Sequence, residues 1–253
     1  MSWRVVAASE IGTSHVSNGT ICEDSCWAQV DTLATGESLL SIFVSDGAGS
    51  AARGGQGAEL AIQSAANFLG QQLRSGEFGL SDELATALVI EVRQCILAAA
   101  ESEGLRARDF ACTFLGVLST PRATLVLQVG DGGIVVDVGS GLELAVVPMS
   151  GEYANMTHFV TDDDAVAVLA TRTFPDPALR VAAFSDGLQR LALNMASNTP
   201  HEPFFAPFFN GLAKAAAEQE DQLQVLLSKF LGSAAVNERT DDDKTLAVAV
   251  RLG

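Results

Sequence analysis

The chain of 253 residues is 48% hydrophobic and 18% charged, a globular composition, with a formal net charge of −16. Its 15 Lys and Arg stand against 31 Asp and Glu and form no basic stripe, which excludes a nucleic-acid-binding surface, because phosphate backbones need clustered cations. No stretch reaches the roughly 20 apolar residues of a membrane span, "MSWRVVAASEIG" lacks the apolar core of a secretory signal, and Cys22, Cys26, Cys95 and Cys112 show no framework spacing, so a cytoplasmic protein with reduced thiols and no membrane partner is expected.

Residues 4–8 and 39–45 are short, apolar and β-branched, and read as strands. From Gly57 to about Leu73, the spacing of Leu60, Ala61, Ala65, Phe68 and Leu69 predicts an amphipathic helix. A second helix is expected from Ser81 to about Glu103, with Ser81 as its cap and Asp82 and Glu83 in the favourable first turn. The period then shortens. "CTFLGVLST", "TLVLQVGD", "IVVDVG" and "LELAVVP", separated by "PRA", "GG" and "GSG", predict a meander of hairpins from Cys112 to Pro148. Two further strands are read at 180–186 and 244–252, with helical segments near 187–195 and 205–231 between them. The four phenylalanines of "PHEPFFAPFFNGL" read as a core-facing helix start. No linker divides the chain, so one domain over 1–253 is expected, of α+β layers rather than alternating βαβ units.

Three apolar strands end alike, in "IFVSDG" at Asp46, "LQVGDG" at Asp131 and "AAFSDG" at Asp186. One Asp-Gly is an ordinary turn; three could aim carboxylates at one place, joined by Glu23–Asp24 and Asp241–Asp243. Carboxylates gathered with few Lys or Arg stay ionised together only if metal cations sit among them. All-oxygen ligation suits Mg²⁺ or Mn²⁺; His15, His158 and His201, without HExxH, give no zinc set. The glycines after Asp46 could cradle phosphate, but no GxxxxGK[ST] is present, and Ala52 stands where the third Gly of GxGxxG belongs. There is no Cys-x5-Arg and no Gly-x-Ser-x-Gly. The DxDx[TV] matches at Asp162 and Asp241 lack the early strand that an aspartyl-phosphate phosphatase needs before them.

The order of motifs is more specific than any one of them. Glu23-Asp24, Asp46-Gly47-x-Gly49, Gly130-Asp131-Gly132, Ser185-Asp186-Gly187 and Asp242-Asp243-Lys244-Thr245 together resemble the protein phosphatase 2C family over almost the whole chain. "ACTFLG", "GEYANMTHF" and "NERTDDDKTLA" are similar to its short bacterial branch. The resemblance implies a four-layer αββα sandwich, two antiparallel sheets flanked by helix pairs. It implies a metal-dependent phosphatase hydrolysing phosphoserine and phosphothreonine by in-line attack of a metal-bridging hydroxide, without a phosphoenzyme. Asp46 would bridge two Mn²⁺ or Mg²⁺ ions, with the Gly47 carbonyl on one of them. Asp186 and Asp242 would hold the first ion, Glu23 and Asp24 the second, and Asp131 a third. The implied partners are phosphorylated proteins, products of a serine/threonine kinase, and the implied state is a monomer.

Departures from the family pattern are equally legible. Gly19 stands where members place an Arg that grips the phosphate, and His15 is the nearest replacement in order. Ala48 and Gly49 replace the His of "DGHGG". Arg190 stands where an Asp would partner Asp131, which leaves the third ion open and gives Asp131 a cation as neighbour. Segment 150–166 lies where the family carries a flap, and Tyr153, Asn155 and His158 are its candidate substrate contacts. Two rival readings share the site: a pseudophosphatase that binds a regulatory partner, and a small-molecule phosphomonoesterase.

Overall fold

The computed structural model describes residues 2–76, 78–146 and 157–253. In chain order the elements are β1 (Ser2–Glu10), α1 (Thr13–Asn18), β2 (Asp24–Thr32), β3 (Ser38–Asp46), α2 (Gly54–Ser75), α3 (Asp82–Ser102), β4 (Phe114–Ser119), β5 (Thr124–Val129), β6 (Gly133–Asp137) and β7 (Glu143–Leu144). Then come β8 (Ala170–Phe174), β9 (Arg180–Phe184), α4 (Gln189–Ala192), β10 (Leu193–Asn194), β11 (Thr199–Pro200), α5 (Glu202–Lys214), α6 (Glu220–Leu231), α7 (Ala234–Asn237) and β12 (Lys244–Leu252). One antiparallel sheet runs β1-β12-β9-β6-β7 and the other β2-β3-β4-β5-β8, with β10 and β11 as a short separate ribbon.

The central strands are apolar along their length because both faces are covered. On β3, Leu39 and Phe43 pack with Ala61 and Ala65 of α2 and Val92 and Ile96 of α3, while Leu40, Ile42 and Val44 turn inward. On β12, Ala247 and Ala249 face inward with Val181 and Ala183 of β9, while Leu246 and Val248 meet Phe205 and Phe209 of α5 and Leu227 and Leu231 of α6. Three apolar layers therefore separate four structural ones, the αββα sandwich expected from the sequence. Ser81 caps α3 as read, accepting from Leu84 N at 3.2 Å. Phe205 and Phe209 of the phenylalanine-rich segment are core residues, and Phe204 meets Phe205 edge-on. None of the described helices is long and apolar enough to cross a membrane.

The meander reading needs correcting. β4 and β5 do form a hairpin, but β5 and β6 belong to different sheets. Gly130 and Gly132 take φ of +97° and +91°, and this pair of left-handed residues carries the chain across instead of back. A Cβ at Gly132 would lie 2.6 Å from the Phe184 carbonyl oxygen. The crossing leaves Asp131 at the junction of the two sheets, which matters for the site.

Candidate active site

Strand ends converge at this junction. Asp24 opens β2 and Asp46 closes β3, and the two are direct partners in the antiparallel register. Asp186 follows β9, and Asp242 and Asp243 precede β12, the strand paired with β9. Asp46 is clamped through its backbone, its N–H donating to Thr113 Oγ1 at 3.0 Å and its carbonyl accepting from Thr113 N at 2.8 Å.

Around Asp24 the bonding is one-sided. Its Oδ2 accepts from Ser185 Oγ and Thr245 Oγ1, both at 2.7 Å, whereas its Oδ1 is enclosed without a hydrogen-bond partner among the described residues. Asp186 Oδ1 is enclosed and unpartnered in the same way. Burial pushes the Asp24 carboxyl up to about 7 against the pull of the two hydroxyls, and the Asp186 carboxyl up to about 6, with Asp131 adding to the latter. Asp46 rises well above the usual carboxylate range, first through burial and then through Asp24 and Asp186. Acidic groups crowd here, and two of their enclosed oxygens make no hydrogen bond among the described residues. Asp24, Asp46, Asp186 and Asp242 could thus hold hard divalent cations, whose oxygen preference matches this donor set.

Gly47 adds a backbone carbonyl beside Asp46. Its N–H donates to the Glu23 carbonyl at 3.1 Å, and a Cβ here would lie 2.3 Å from the Gly54 carbonyl carbon, so only glycine allows the loop to press against the start of α2. Glu23 is half-buried beside the cluster, its carboxyl raised by burial and by Asp243 and Asp242 against the opposing effect of His15.

Asp243, 3% exposed, is a tether that motif reading did not single out. Its carboxylate accepts from Gly12 N at 2.6 Å and Glu23 N at 2.5 Å, and lies 3.0 Å from His15 Nδ1. That nitrogen is also 3.0 Å from the Ile21 carbonyl. Burial opposes charge on the His15 ring, but Asp243, the Ile21 carbonyl, Glu23 and Asp242 outweigh it and raise its pKa.

A cleft of about 240 Å³ opens here, with His15, Asp46, Asp131, Thr157, Asp186 and Asp242 in its wall. Thr157 Oγ1 donates to Asp131 Oδ2 at 2.7 Å. Among the described residues Arg190 makes no ion pair with Asp131; it is exposed and lines a neighbouring cleft. His158 stands beside the wall, with Nδ1 3.9 Å from Asp164 Oδ2, and its ring, Asp162 and Asp164 bring ligand atoms within 4.8 Å of one another. Tyr153 and Asn155 lie outside the described residues.

Ser185, Thr245, Thr113 and Asp243 were the residues the motifs contained without revealing. Ser185 and Thr245 sit inside "SDG" and "DDDKT", yet only the fold shows both hydroxyls on one oxygen of Asp24. Thr245→Val should therefore weaken Mn²⁺ binding by about 10- to 100-fold with little change in fold, since outer-shell donors orient their ligand. Metal titration by calorimetry checks this; an unchanged affinity would remove Thr245 from the site.

The fold and cleft together define a class: a two-sheet sandwich with the carboxylates of Asp46, Asp131, Asp186, Asp242 and Asp243 gathered in one cleft wall. The family model for protein phosphatase 2C matches residues 11–231, and the chain belongs to that family. Over 250 residues it is 58% identical to serine/threonine-protein phosphatase 3 of Escherichia coli (strain K12), covering 99% of each chain. Its fold is similar to that of the catalytic domain of the serine/threonine protein phosphatase PstP, solved in complex with two manganese ions, with a TM-score of 0.62 at 17% identity over 99% of each chain. It is also similar to the serine/threonine phosphatase Stp1 from Staphylococcus aureus, with a TM-score of 0.63 at 14% identity over 100% of this chain and 96% of that one.

Proposed function

We propose that the protein is a metal-dependent phosphoprotein phosphatase that hydrolyses phosphoserine and phosphothreonine by in-line attack of water, with no phosphoenzyme. The observation that carries this is the pair of enclosed carboxylate oxygens without a hydrogen-bond partner among the described residues, Asp24 Oδ1 and Asp186 Oδ1, in a cluster where burial and neighbouring carboxylates push pKa values up. The relationship to serine/threonine-protein phosphatase 3 supports the substrate class.

Two Mn²⁺ or Mg²⁺ ions, held by Asp24, Asp46, the Gly47 carbonyl, Asp186 and Asp242 with Glu23 beside them, would supply the Lewis acidity that makes water nucleophilic near neutral pH and offsets charge on the phosphoryl oxygens. Ser185 and Thr245 fix Asp24 so that its other oxygen turns into the cluster. Asp243 and the Ile21 carbonyl occupy His15 Nδ1, which leaves Nε2 as the ring nitrogen for the cleft. The neighbouring carboxylates and the Ile21 carbonyl raise the ring's pKa against its burial, and a protonated ring would donate from Nε2 to a phosphoryl oxygen in place of the Arg that Gly19 replaces. Asp131, bonded to Thr157, is the candidate ligand for a third ion. Tyr153, Asn155 and His158 belong to the segment that would meet the peptide. Residues 1–253 would act as one domain, and the four free cysteines support a cytoplasmic setting.

Phosphate release from phosphoserine and phosphothreonine peptides should require Mn²⁺ or Mg²⁺, stop with EDTA, and exceed that from sugar and nucleotide phosphates by at least about tenfold in kcat/KM. Equal or better turnover of the small phosphates would move the reading to a phosphomonoesterase. Metal binding without turnover of any of them would move it to a partner-binding pseudophosphatase.

A further inference from the structure

On the far side of Asp186 and Asp242 from the catalytic cleft lies a second cleft of about 370 Å³, with Arg190, Met195, Arg239 and Asp241 also in its wall. The chain carries 31 Asp and Glu against 15 Lys and Arg, so an arginine here readily finds a carboxylate. Most do: Arg93 pairs with Asp163, Arg122 with Glu37, Arg172 with Glu143, and Arg180 with Asp137. Arg190 and Arg239, like Arg74, Arg108 and Arg251, make no ion pair among the described residues, but Arg190 and Arg239 share one cleft wall. Both are exposed, and among the described residues neither side chain makes an ion pair, a hydrogen bond or a ring contact, although Asp241 shares their cleft.

Their placement follows from the motifs themselves. Arg190 lies in α4 four residues after Asp186, and Arg239 lies just after α7, three residues before Asp242. Two separate chain segments thus each bring one arginine to a cleft wall that also holds Asp186 and Asp242. A guanidinium offers a planar fork that matches carboxylate or phosphate oxygens, and two forks on one cleft recognise an anion rather than an apolar group. Met195, 53% exposed on the same wall, gives the aliphatic part of a peptide an apolar surface. With cations offsetting Asp186 and Asp242, the wall keeps two arginines against Asp241 alone.

We propose that the Arg190–Arg239 cleft is a specificity subsite for an anionic side chain, carboxylate or second phosphate, flanking the phosphorylated residue of a protein substrate. This rests on the phosphatase reading above. The test uses the Mn²⁺-loaded full chain and peptides carrying a non-hydrolysable phosphonate analogue of phosphoserine, flanked by Glu, by a second phosphoserine, or by Gln. Binding is read by fluorescence anisotropy for wild type, for Arg190→Gln/Arg239→Gln, and for Arg74→Gln/Arg108→Gln, which removes the same charge from exposed sites elsewhere. Wild type should prefer an anionic flank by about tenfold, and the Arg190/Arg239 variant should reduce this to under about twofold, while the control variant keeps it. The flank with the larger Arg-dependent preference identifies the anion. A preference equal in all three proteins, or lost equally in the control, would overturn the subsite. The hydrolysable peptides, run for kcat/KM, separate the two readings. Turnover without any Arg-dependent preference removes the subsite and keeps the phosphatase; Arg-dependent binding without turnover does the reverse.

Discussion

Asp46→Asn should lower kcat on a phosphoserine peptide by at least about 10³-fold in saturating Mn²⁺, yet raise the melting temperature of the metal-free protein by several degrees. The two effects share one cause. Asp46 faces Asp24 across the β2–β3 register, and burial, Asp24 and Asp186 drive its carboxyl well above the usual range. In the unfolded chain that carboxyl ionises freely, so folding without metal works against its ionisation, at a cost of about 1.4 kcal/mol for each unit by which its pKa is raised below the working pH. Asparagine keeps the shape and the backbone clamp to Thr113 and abolishes that cost. The same change removes an anionic oxygen from the proposed cation site, so activity should fall as stability rises. Steady-state kinetics and thermal melts in EDTA measure the two arms. A variant that loses activity and also melts lower without metal would show that Asp46 serves the fold and not a cation site.

The division between what could and could not be read from the sequence follows the physics of burial. β3, β9 and β12 were legible because both their faces are covered, which leaves runs such as "LLSIFVS" and "KTLAVAVRL" almost wholly apolar. β2 and β8 were not. Both are edge strands of their sheet, and "DSCWAQVDT" and "ATRTF" carry partly exposed polar residues that match neither a period of two nor a buried run. The short α1, "TSHVSN", has no buried residue to give it a pattern. The β5–β6 crossing was missed because "GDGG" reads as a hairpin turn; only the two positive φ angles and the crowding at Gly132 distinguish a change of sheet. For the site, the carboxylates were legible as repeated strand ends. The hydroxyls on Asp24 and the three groups gathered by Asp243 join residues more than 150 positions apart, and no local pattern records that distance.

The stability of the metal-free protein should fall as pH rises, opposite to the behaviour of a protein held by ordinary ion pairs. Asp24, Asp46 and Asp186 have folded pKa values raised from 3.8, to about 7 for Asp24 and about 6 for Asp186. Below 3.8 both folded and unfolded chains carry these protons, so their contribution is fully present there. Between 3.8 and the folded values the unfolded chain releases protons that the fold keeps, and stability declines with pH until it levels above about 7, with Asp46 extending the decline. His15 adds to the same slope, since its raised pKa stabilises the fold below its unfolded value of 6.5 and that gain is lost as pH rises through the folded value. Asp137, depressed by the Gly139 and Gly141 amides and by Arg180 despite its burial, opposes it, but its gain is already complete above its unfolded value of 3.8. Melts in EDTA between about pH 5 and about pH 8 should therefore drop by roughly 5–10 °C, taking a few kcal/mol over a chain of this size. Bound Mn²⁺ should flatten or invert the slope, because a cation among these carboxylates favours their ionised form in the fold. Asp46→Asn should make the metal-free slope shallower, since one of the three coupled protons is gone. A flat EDTA profile in wild type would mean that the cluster is already neutralised within the chain, and the argument for cations at Asp24, Asp46 and Asp186 would fall with it.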